Sequence, residues 1–326
     1  MKIGIENYPF IKFSNIGPKV FLSRLAKNIK KNNLAEIKSS IFPFYDIGLF
    51  SVLAKNYYKI PFVLRFDGLY IDKKNTVGNS VLLNNLLLDK SKKSCGIIFQ
   101  SNFCKNLYEK FFDKPNVSHK VILNRIPKDF NLGVKVNRSK IGFDNDDIVV
   151  ILSSNWRRHK RLEEALEFLD FFNSKSQKKI KFLVLGKCNI KKEIANVFFA
   201  GEINQSNLSK WYNVGDFYFH PAWLEPAANT IVEAIGCNLP IICCNNGGPS
   251  QMVKQFNAGI ISNCDTKYLY DKVDLYNPPK PNFYELFKSF EEMLNNLKFY
   301  QSNIKNDEVS IYNSSTQYIS FIKGLI

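Results

Sequence analysis

Phe217-Tyr218-Phe219-His220-Pro221-Ala222-Trp223-Leu224-Glu225-Pro226-Ala227-Ala228-Asn229-Thr230-Ile231-Val232-Glu233-Ala234 is the stretch from which the rest of the chain can be read. Four residues suited to a buried strand, 217–220, stop at a proline, which cannot donate to a sheet ladder. Pro226 suits a first helical turn, so a helix is predicted from there to Ile235. Strand, loop and helix in that order are half of a βαβ unit, and the same alternation runs outward in both directions. Upstream lie strands at Ile148–Leu152, Ile180–Leu185 and Val197–Ala200, with helices at Arg161–Asn173 and Gln205–Val214; downstream, Pro240–Cys244 is the next strand. Helical segments follow around Tyr284–Asn296 and Ser310–Ile322.

The first part of the chain repeats the pattern. Strands at Lys2–Glu6, Ile37–Ile41, Phe62–Phe66, Gly96–Phe99 and Lys120–Leu123 alternate with amphipathic stretches at Pro18–Lys31, Ile47–Tyr58, Asn79–Lys92 and Asn102–Phe112. Between Asn124 and Asp147 it dissolves into Pro127, Gly133, Gly142 and a polar cluster, which marks a boundary. The expected fold class is α/β, with two Rossmann-like, doubly wound parallel-sheet domains facing across a cleft. Their expected extents are 1–140 and 148–305, and residues 306–326 form a C-terminal helix that packs back toward the first domain. Ligands in such folds lie outside the carboxyl ends of strands, so function is expected in the loops after them.

Composition narrows the classes. A length of 326 residues suits about two domains, and 45% apolar with 23% charged residues is ordinary for a globular chain. The seven cysteines include no C-x-x-C pair and sit mostly in apolar runs, which suggests reduced, buried thiols. Three dispersed histidines give a zinc site little to be built from. The net charge of +16 is uneven: residues 1–147 hold 25 basic against 12 acidic side chains, residues 148–326 hold 20 against 17. That asymmetry points the first half towards an anionic partner, or reflects a lysine-rich composition alone. No apolar run reaches the 18–20 residues that span a bilayer, and the start reads as a strand, so the expected location is cytoplasmic with at most peripheral membrane contact.

Two places carry candidate chemistry. Glu225 is expected at the mouth of the predicted helix, where free amides and the dipole favour an anion or an oxygen-rich ligand. Glu233, eight residues on, would stand about 12 Å away along a helix, suited to the far end of an extended ligand. The plainer alternative is a carboxylate that complements a dipole and an ordinary helix charge. The second place is Ser153-Ser154-Asn155-Trp156-Arg157-Arg158-His159-Lys160-Arg161, where four cations in five positions enter a helix. They could neutralise the charge that grows on a departing diphosphate, or be a solvated capping run. Asp144-Asn145-Asp146-Asp147 matches the D-x-D of metal-dependent transferases but lies in the linker, where a solvated acidic turn is favoured.

The 220–234 segment resembles the E-x7-E signature of retaining glycosyltransferases with the GT-B fold, especially glycosyltransferase family 4. Around it, Phe199-Ala200-Gly201-Glu202 is similar to that family's F-x-G turn and Asp216-Phe217 to its A-D-x-F strand. Gly236-Cys237-Asn238-Leu239-Pro240-Ile241-Ile242 resembles its A-x-G-x-P-V-V, and Asn246-Gly247-Gly248-Pro249 its G-G turn before the next helix. In the first domain, Gly17-Pro18 resembles the glycine turn after the first strand, and Ile98-Phe99-Gln100-Ser101 and Val121-Ile122-Leu123-Asn124 the later strands.

The resemblance implies that Glu225 contacts donor-sugar hydroxyls and Glu233 the ribose, with amides of Ala227, Ala228, Asn229 and Thr230 at sugar or phosphate. Lys160 fits the family's clamp lysine; the clamp arginine's position holds Asn155, so Arg157, Arg158 or Arg161 must deputise. Asp67-Gly68 stands where many members carry His-Gly or His-Asp, which makes Asp67 an acceptor-side or sugar-side ligand or a plain turn. Gly17 would bring backbone close to the phosphates, and Gly201 belongs to the donor side.

The implied activity is metal-independent, retaining transfer of a sugar from a nucleotide diphosphate to an acceptor hydroxyl of a glycan, glycolipid or glycoprotein. The second domain would take the donor and the first the acceptor, with no cofactor beyond the donor, no metal and no nucleic acid. A GT-B isomerase or an inactive nucleotide-sugar-binding protein is the alternative. A glycoside hydrolase needs two carboxyl groups about 5–9.5 Å apart; Glu225 and Glu233 are expected to stand farther apart than that, which leaves a pair to residues distant in sequence. A nucleic-acid-binding protein needs a recognised module, and the sequence displays none.

Overall fold

A computed structural model of the chain describes residues 1–6, 8–9, 17–51, 60–69, 71, 80–131, 136–190, 193–269 and 273–326. In chain order the elements begin with β1 (Lys2–Ile5), α1 (Gly17–Lys31), β2 (Glu36–Ser39), β3 (Ile47–Ser51), β4 (Phe62–Phe66), α2 (Ser80–Lys93), β5 (Gly96–Phe99), α3 (Asn102–Phe112) and β6 (Ser118–Val121). They continue with β7 (Ile148–Ser153), α4 (Leu162–Lys175), β8 (Ile180–Leu185), β9 (Val197–Gly201), α5 (Leu208–Tyr212), β10 (Phe217–His220), α6 (Asn229–Gly236), β11 (Ile241–Cys244), α7 (Gly248–Gln255) and β12 (Gly259–Ser262). The last are α8 (Phe283–Asn295), α9 (Leu297–Ser302) and α10 (Ile311–Lys323). The chain forms two compact units, residues 1–127 with 226–229 and 310–326, and residues 128–225 with 230–309.

The first unit holds a parallel sheet in the order β2-β1-β3-β4-β5-β6. β3 and β4 are buried along their whole length, as strands covered on both faces must be. One face is packed by α1 through Phe21, Leu22, Leu25 and Ile29, and α10 lies on α1, with the Phe21 and Tyr318 rings 6.0 Å apart. α10 is also tied to the sheet, since Ser314 Oγ donates to the Leu123 carbonyl at 2.9 Å and the Ile311 amide to the Ile126 carbonyl at 2.8 Å. Gly96 is small because Leu325 and Phe321 occupy the space a Cβ would need. The other face carries α3, whose Tyr108 meets Phe66 and Phe99 edge-on.

The second unit repeats the architecture in the order β12-β11-β10-β7-β8-β9, again all parallel. α4 carries Leu162, Ala165, Leu166, Phe168, Leu169 and Phe172 at helical spacing, and that face meets Phe182, Phe219 and Phe290 in a phenylalanine-rich core. Both sheets are thus doubly wound, and in the second the direction of winding reverses between β7 and β10. Folds of this kind place their ligands at that reversal.

Two expectations fail locally. Ile47–Ser51 is a strand and not the start of a helix: Ile-Gly-Leu-Phe-Ser is buried on both faces between β1 and β4, and a continuous apolar run carries no periodicity that separates strand from helix. The remainder of that predicted helix, to Tyr58, and Asn79 lie outside the described residues. The helix predicted from Pro226 begins three residues later, at Asn229. Residues 221–228 form an irregular loop in which Leu224 takes φ +53. β12, Gly-Ile-Ile-Ser, is a strand that the sequence reading did not include.

Candidate functional site

The loop after β7 and the loop after β10 meet at the carboxyl edge of the second sheet, on either side of its reversal. Lys160 Nζ pairs with Glu225 Oε1, and Glu225 Oε2 lies 2.8 Å from His220 Nε2. Ser153, Ser154, Trp156, Lys160, His220 and Pro221 line a small concavity there.

Each loop is braced by backbone. Gly186, at the end of β8, takes φ +104 and approaches so closely that a Cβ would stand 1.8 Å from the Ser154 carbonyl oxygen. Trp156 Nε1 donates to the Leu185 carbonyl at 2.9 Å, which fixes the loop's middle. The Trp223 amide donates to the His159 carbonyl at 2.8 Å and joins the two loops. Behind Glu225, Gly247 takes φ +101, a Cβ on it would lie 2.7 Å from the Glu225 carbonyl oxygen, and the Gly248 amide donates to that oxygen at 2.8 Å. The G-G turn is therefore a backbone support for Glu225. Arg161, directly after Lys160, and Leu224, directly before Glu225, both sit in the left-handed region, so backbone strain flanks both ends of the ion pair.

The electrostatics follow from this packing. Burial alone would push the Glu225 carboxyl up; the Lys160 charge and the His220 hydrogen bond outweigh it and hold the group well below the usual carboxylate range. His159 is also shifted down, to about 4, but here burial and the Lys160 charge disfavour the charged form. The imidazole beside the site is therefore neutral at pH 7.

The four predicted cations separate into different roles. Lys160 faces Glu225, and Arg157 is exposed. Arg158 is held in a fork by Glu164 at 2.8 and 2.5 Å, in the first turn of α4. Arg161 is wholly buried, with Nη1 2.7 Å from Asp265 Oδ1 and the guanidinium over the Trp223 ring. Asn155 is exposed in the same loop, and Gly201 ends β9 with φ +70 and open space where a side chain would be. Thr230 is the second residue of α6, half-buried, and the Tyr218 hydroxyl donates to the Ser153 carbonyl at 3.0 Å. Glu233 is buried within α6, with the Tyr212 hydroxyl 3.5 Å from Oε2. Because α6 starts at Asn229, Glu225 and Glu233 do not share a helix, and the 12 Å spacing argued from one does not hold.

The remaining predicted residues lie in the first unit. Asp67 pairs with the fully buried Arg65, whose guanidinium also donates to Gln100 Oε1 at 3.1 Å and Asn124 Oδ1 at 2.9 Å. Asn124 donates to Asn229 Oδ1 at 3.0 Å, and Asn229 Nδ2 donates to the Gly17 carbonyl at 2.9 Å. Gly17 is the first residue of α1. Ala228 is buried and Ala227 half-buried in the segment before α6.

Sequence reasoning left out His220, His159, Gly186 and Gly247 as site residues. A histidine closing the apolar strand Phe217–His220 was the one available signal, because an ionisable group on a doubly covered strand needs a partner. The acidic turn is engaged elsewhere, with Asp147 paired to Lys181 at 2.7 Å and accepting from the Asp144 amide at 2.6 Å. Among the described residues, Cys244, Cys264 and Asp265 form a group of potential metal ligands, but the Arg161 guanidinium lies against Asp265 and Cys244. All seven cysteines are free; five are buried, and burial pushes the Cys104 thiol up to about 11 and that of Cys237 up to about 12.

Residues 134–275, most of the second unit, match the family model Glycosyl transferases group 1. The resemblance read from the E-x7-E segment is thereby borne out. Alpha-monoglucosyldiacylglycerol synthase of Acholeplasma laidlawii is 23% identical over 252 residues, which span 68% of this chain and 62% of that protein. Among solved structures, sucrose-phosphate synthase from Thermosynechococcus elongatus superposes with a TM-score of 0.73 at 12% identity, covering 100% of this chain and 99% of that one. Anabaena HepE in complex with UDP-glucose gives 0.70 at 12% identity over 99% of this chain and 100% of that one. The fold is that of the GT-B glycosyltransferases.

Proposed function

We propose that this protein is a metal-independent, retaining glycosyltransferase that moves a sugar from a nucleoside diphosphate donor to an acceptor hydroxyl. The observation that carries the reading is the meeting of Lys160 and Glu225 at the reversal point of a doubly wound sheet. A cation and an ionised carboxylate there match the two ends of a sugar diphosphate: the ammonium takes the phosphate oxygens and the carboxylate accepts from sugar hydroxyls. Lys160 would stabilise the charge that develops on the leaving diphosphate, with Arg157 as the second cation. Arg158 and Arg161 already serve the fold through Glu164 and Asp265. Glu233 is assigned to the ribose, and the Ala227–Thr230 amides to sugar or phosphate.

A carboxylate pinned by both Lys160 and His220 is a poor nucleophile, which supports a front-face route in which the leaving phosphate takes the acceptor proton. Catalysis is then mostly positioning and charge stabilisation. Metal independence rests on Lys160 doing the work a divalent cation does elsewhere.

For the acceptor, the reading favours a lipid-linked one presented at an anionic membrane surface. Supporting it are the 25 basic against 12 acidic residues of positions 1–147 and the name of the Acholeplasma relative, a glucosylated-lipid synthase. No helix among the described residues is long and apolar enough to cross a membrane. The first unit exposes Phe42 and Phe44, stacked 6.5 Å apart, and Leu86 on α2, the helix that ends with Lys90, Lys92 and Lys93 in its last turn.

A thermal-shift panel of nucleoside diphosphates with and without sugars tests the donor assignment. One nucleotide sugar should raise the melting temperature of the wild type and leave Lys160→Ala unmoved; no stabilisation by any member would overturn the reading.

A further inference from the structure

Glu225 has two oxygens and two different holders, and they differ in what a donor would do to them. Lys160, its side chain 12% exposed, holds Oε1 from the irregular loop after β7, as the group that the proposed reading sends to the diphosphate. His220 holds Oε2 from within the sheet. It is the last residue of β10, is 3% exposed, and its backbone is registered against Cys243 of β11. Its ring lies nearly parallel to that of Tyr218, 24° apart, with Nδ1 3.4 Å from the Tyr218 hydroxyl. Tyr218 is anchored in turn on the Ser153 carbonyl. The imidazole therefore cannot rotate without breaking contacts on both sides.

We infer that His220 is the positioning residue of Glu225, keeping the carboxylate aimed into the site when Lys160 leaves it for a diphosphate. This rests on the proposed reading for its consequence and on the geometry for its substance. An ionised carboxylate only accepts, so the hydrogen between the two groups sits on Nε2. Without that bond a carboxylate released by Lys160 would be free to turn about its side-chain torsions, and the hydroxyl contacts it makes would be lost. His220 Nε2 is committed to Glu225 and is not free to take a proton from the acceptor. The inference also accounts for an ionisable side chain at the end of Phe-Tyr-Phe, which is otherwise a costly choice in a buried strand.

Two measurements test it. With three histidines in the chain, long-range proton–nitrogen spectra of the unliganded protein resolve each ring. The His220 signal should carry its hydrogen on Nε2 and shift on Glu225→Gln; an Nε2 without hydrogen, or indifference to that substitution, overturns the inference. The second is calorimetric binding of UDP and UDP-glucose to His220→Phe and His220→Gln, the glutamine amide being able to replace the Nε2 donor. UDP should bind both variants as it binds the wild type, whereas UDP-glucose should bind the Phe variant about tenfold more weakly and the Gln variant nearly normally, as loss and rescue of one oriented contact require. Equal UDP-glucose affinity in all three proteins, or parallel loss of UDP, overturns a positioning role. If the wild type binds neither probe, the donor reading fails for uridine sugars, and the spectra alone then decide the inference.

Discussion

Lys160 and Glu225, from loops that follow different strands of the second sheet, form one ion pair at the point where that sheet reverses its winding. Directly beside Lys160 in sequence, Arg161 turns inward and pairs with Asp265 in full burial. The left-handed backbone at Arg161 separates the two fates, one cation for the ligand and one for the core.

That division predicts a split between rate and stability. Lys160→Ala should lower turnover by about 10² to 10³, or roughly 3 to 4 kcal/mol, with a small change in melting temperature. Arg161→Met should instead destabilise by about 3 to 5 kcal/mol, because it leaves Asp265 buried without its partner. Steady-state rates and urea midpoints on both variants check this, and a stable, inactive Arg161→Met would reverse the assignment.

His159 predicts a pH dependence with a definite sign. Its folded value of about 4 lies below the ordinary 6.5, so between those values the unfolded chain takes up a proton that the folded chain refuses. Stability should therefore fall as the pH drops from about 6.5 to 4, by up to about 3 kcal/mol, and be unaffected by this group above that window. Glu225, held low, loses its contribution only as the pH falls below its ordinary value of 4.5. Urea unfolding from pH 4 to 8 should show a shallower slope in His159→Gln than in the wild type.

Gly247→Ala tests the support behind Glu225. The substitution places a methyl group 2.7 Å from the Glu225 carbonyl oxygen at φ +101 and should cost about 2 to 4 kcal/mol and impair donor binding. Gly142→Ala is the control, since φ there is +75 with nothing within 4 Å, and should cost only about 1 to 2 kcal/mol. Equal effects would mean that the close approach is relieved by a loop shift.

How much of this was legible beforehand depended on how local the cause was. Asn102–Phe112 was predicted to the residue from its helical apolar spacing, and the structure adds the cap, Ser101 accepting from the Cys104 amide. Phe62–Phe66 and Ile180–Leu185 were legible as short β-rich runs. Ile47–Ser51 was misread because burial on both faces erases the alternation that marks a strand. At the site, the charge run and the two glutamates were visible, but not which cation would face Glu225. That is decided by Glu164 and Asp265, one on the next helix and the other after the last strand of the sheet. The start of α6 was misplaced for a related reason: Pro226 suits a first turn locally, while the Asn229 side chain is engaged by Gly17 and Asn124, residues remote in sequence.

Metal independence predicts that activity survives EDTA. Turnover with and without chelator, followed by Mn²⁺ addition, checks it; loss with EDTA and recovery with Mn²⁺ would show that Lys160 does not replace a divalent ion.

Peripheral membrane binding predicts that the protein co-sediments with phosphatidylglycerol vesicles more than with neutral ones and is released between low and physiological salt. Phe44→Ser, which removes a side chain 71% exposed, should weaken binding further at fixed salt. Equal or absent binding to both vesicle types would leave the charge compositional and move the acceptor to a soluble glycan or protein.

The central claim is sugar transfer, and the measurement closest to it is the release of nucleoside diphosphate from the stabilising nucleotide sugar, with and without acceptor. The account predicts release that depends on acceptor, with the sugar recovered on the acceptor in the donor's anomeric configuration, and loss of that release in Lys160→Ala. Release at the same rate without acceptor, or no release with a donor that binds tightly, would contradict it.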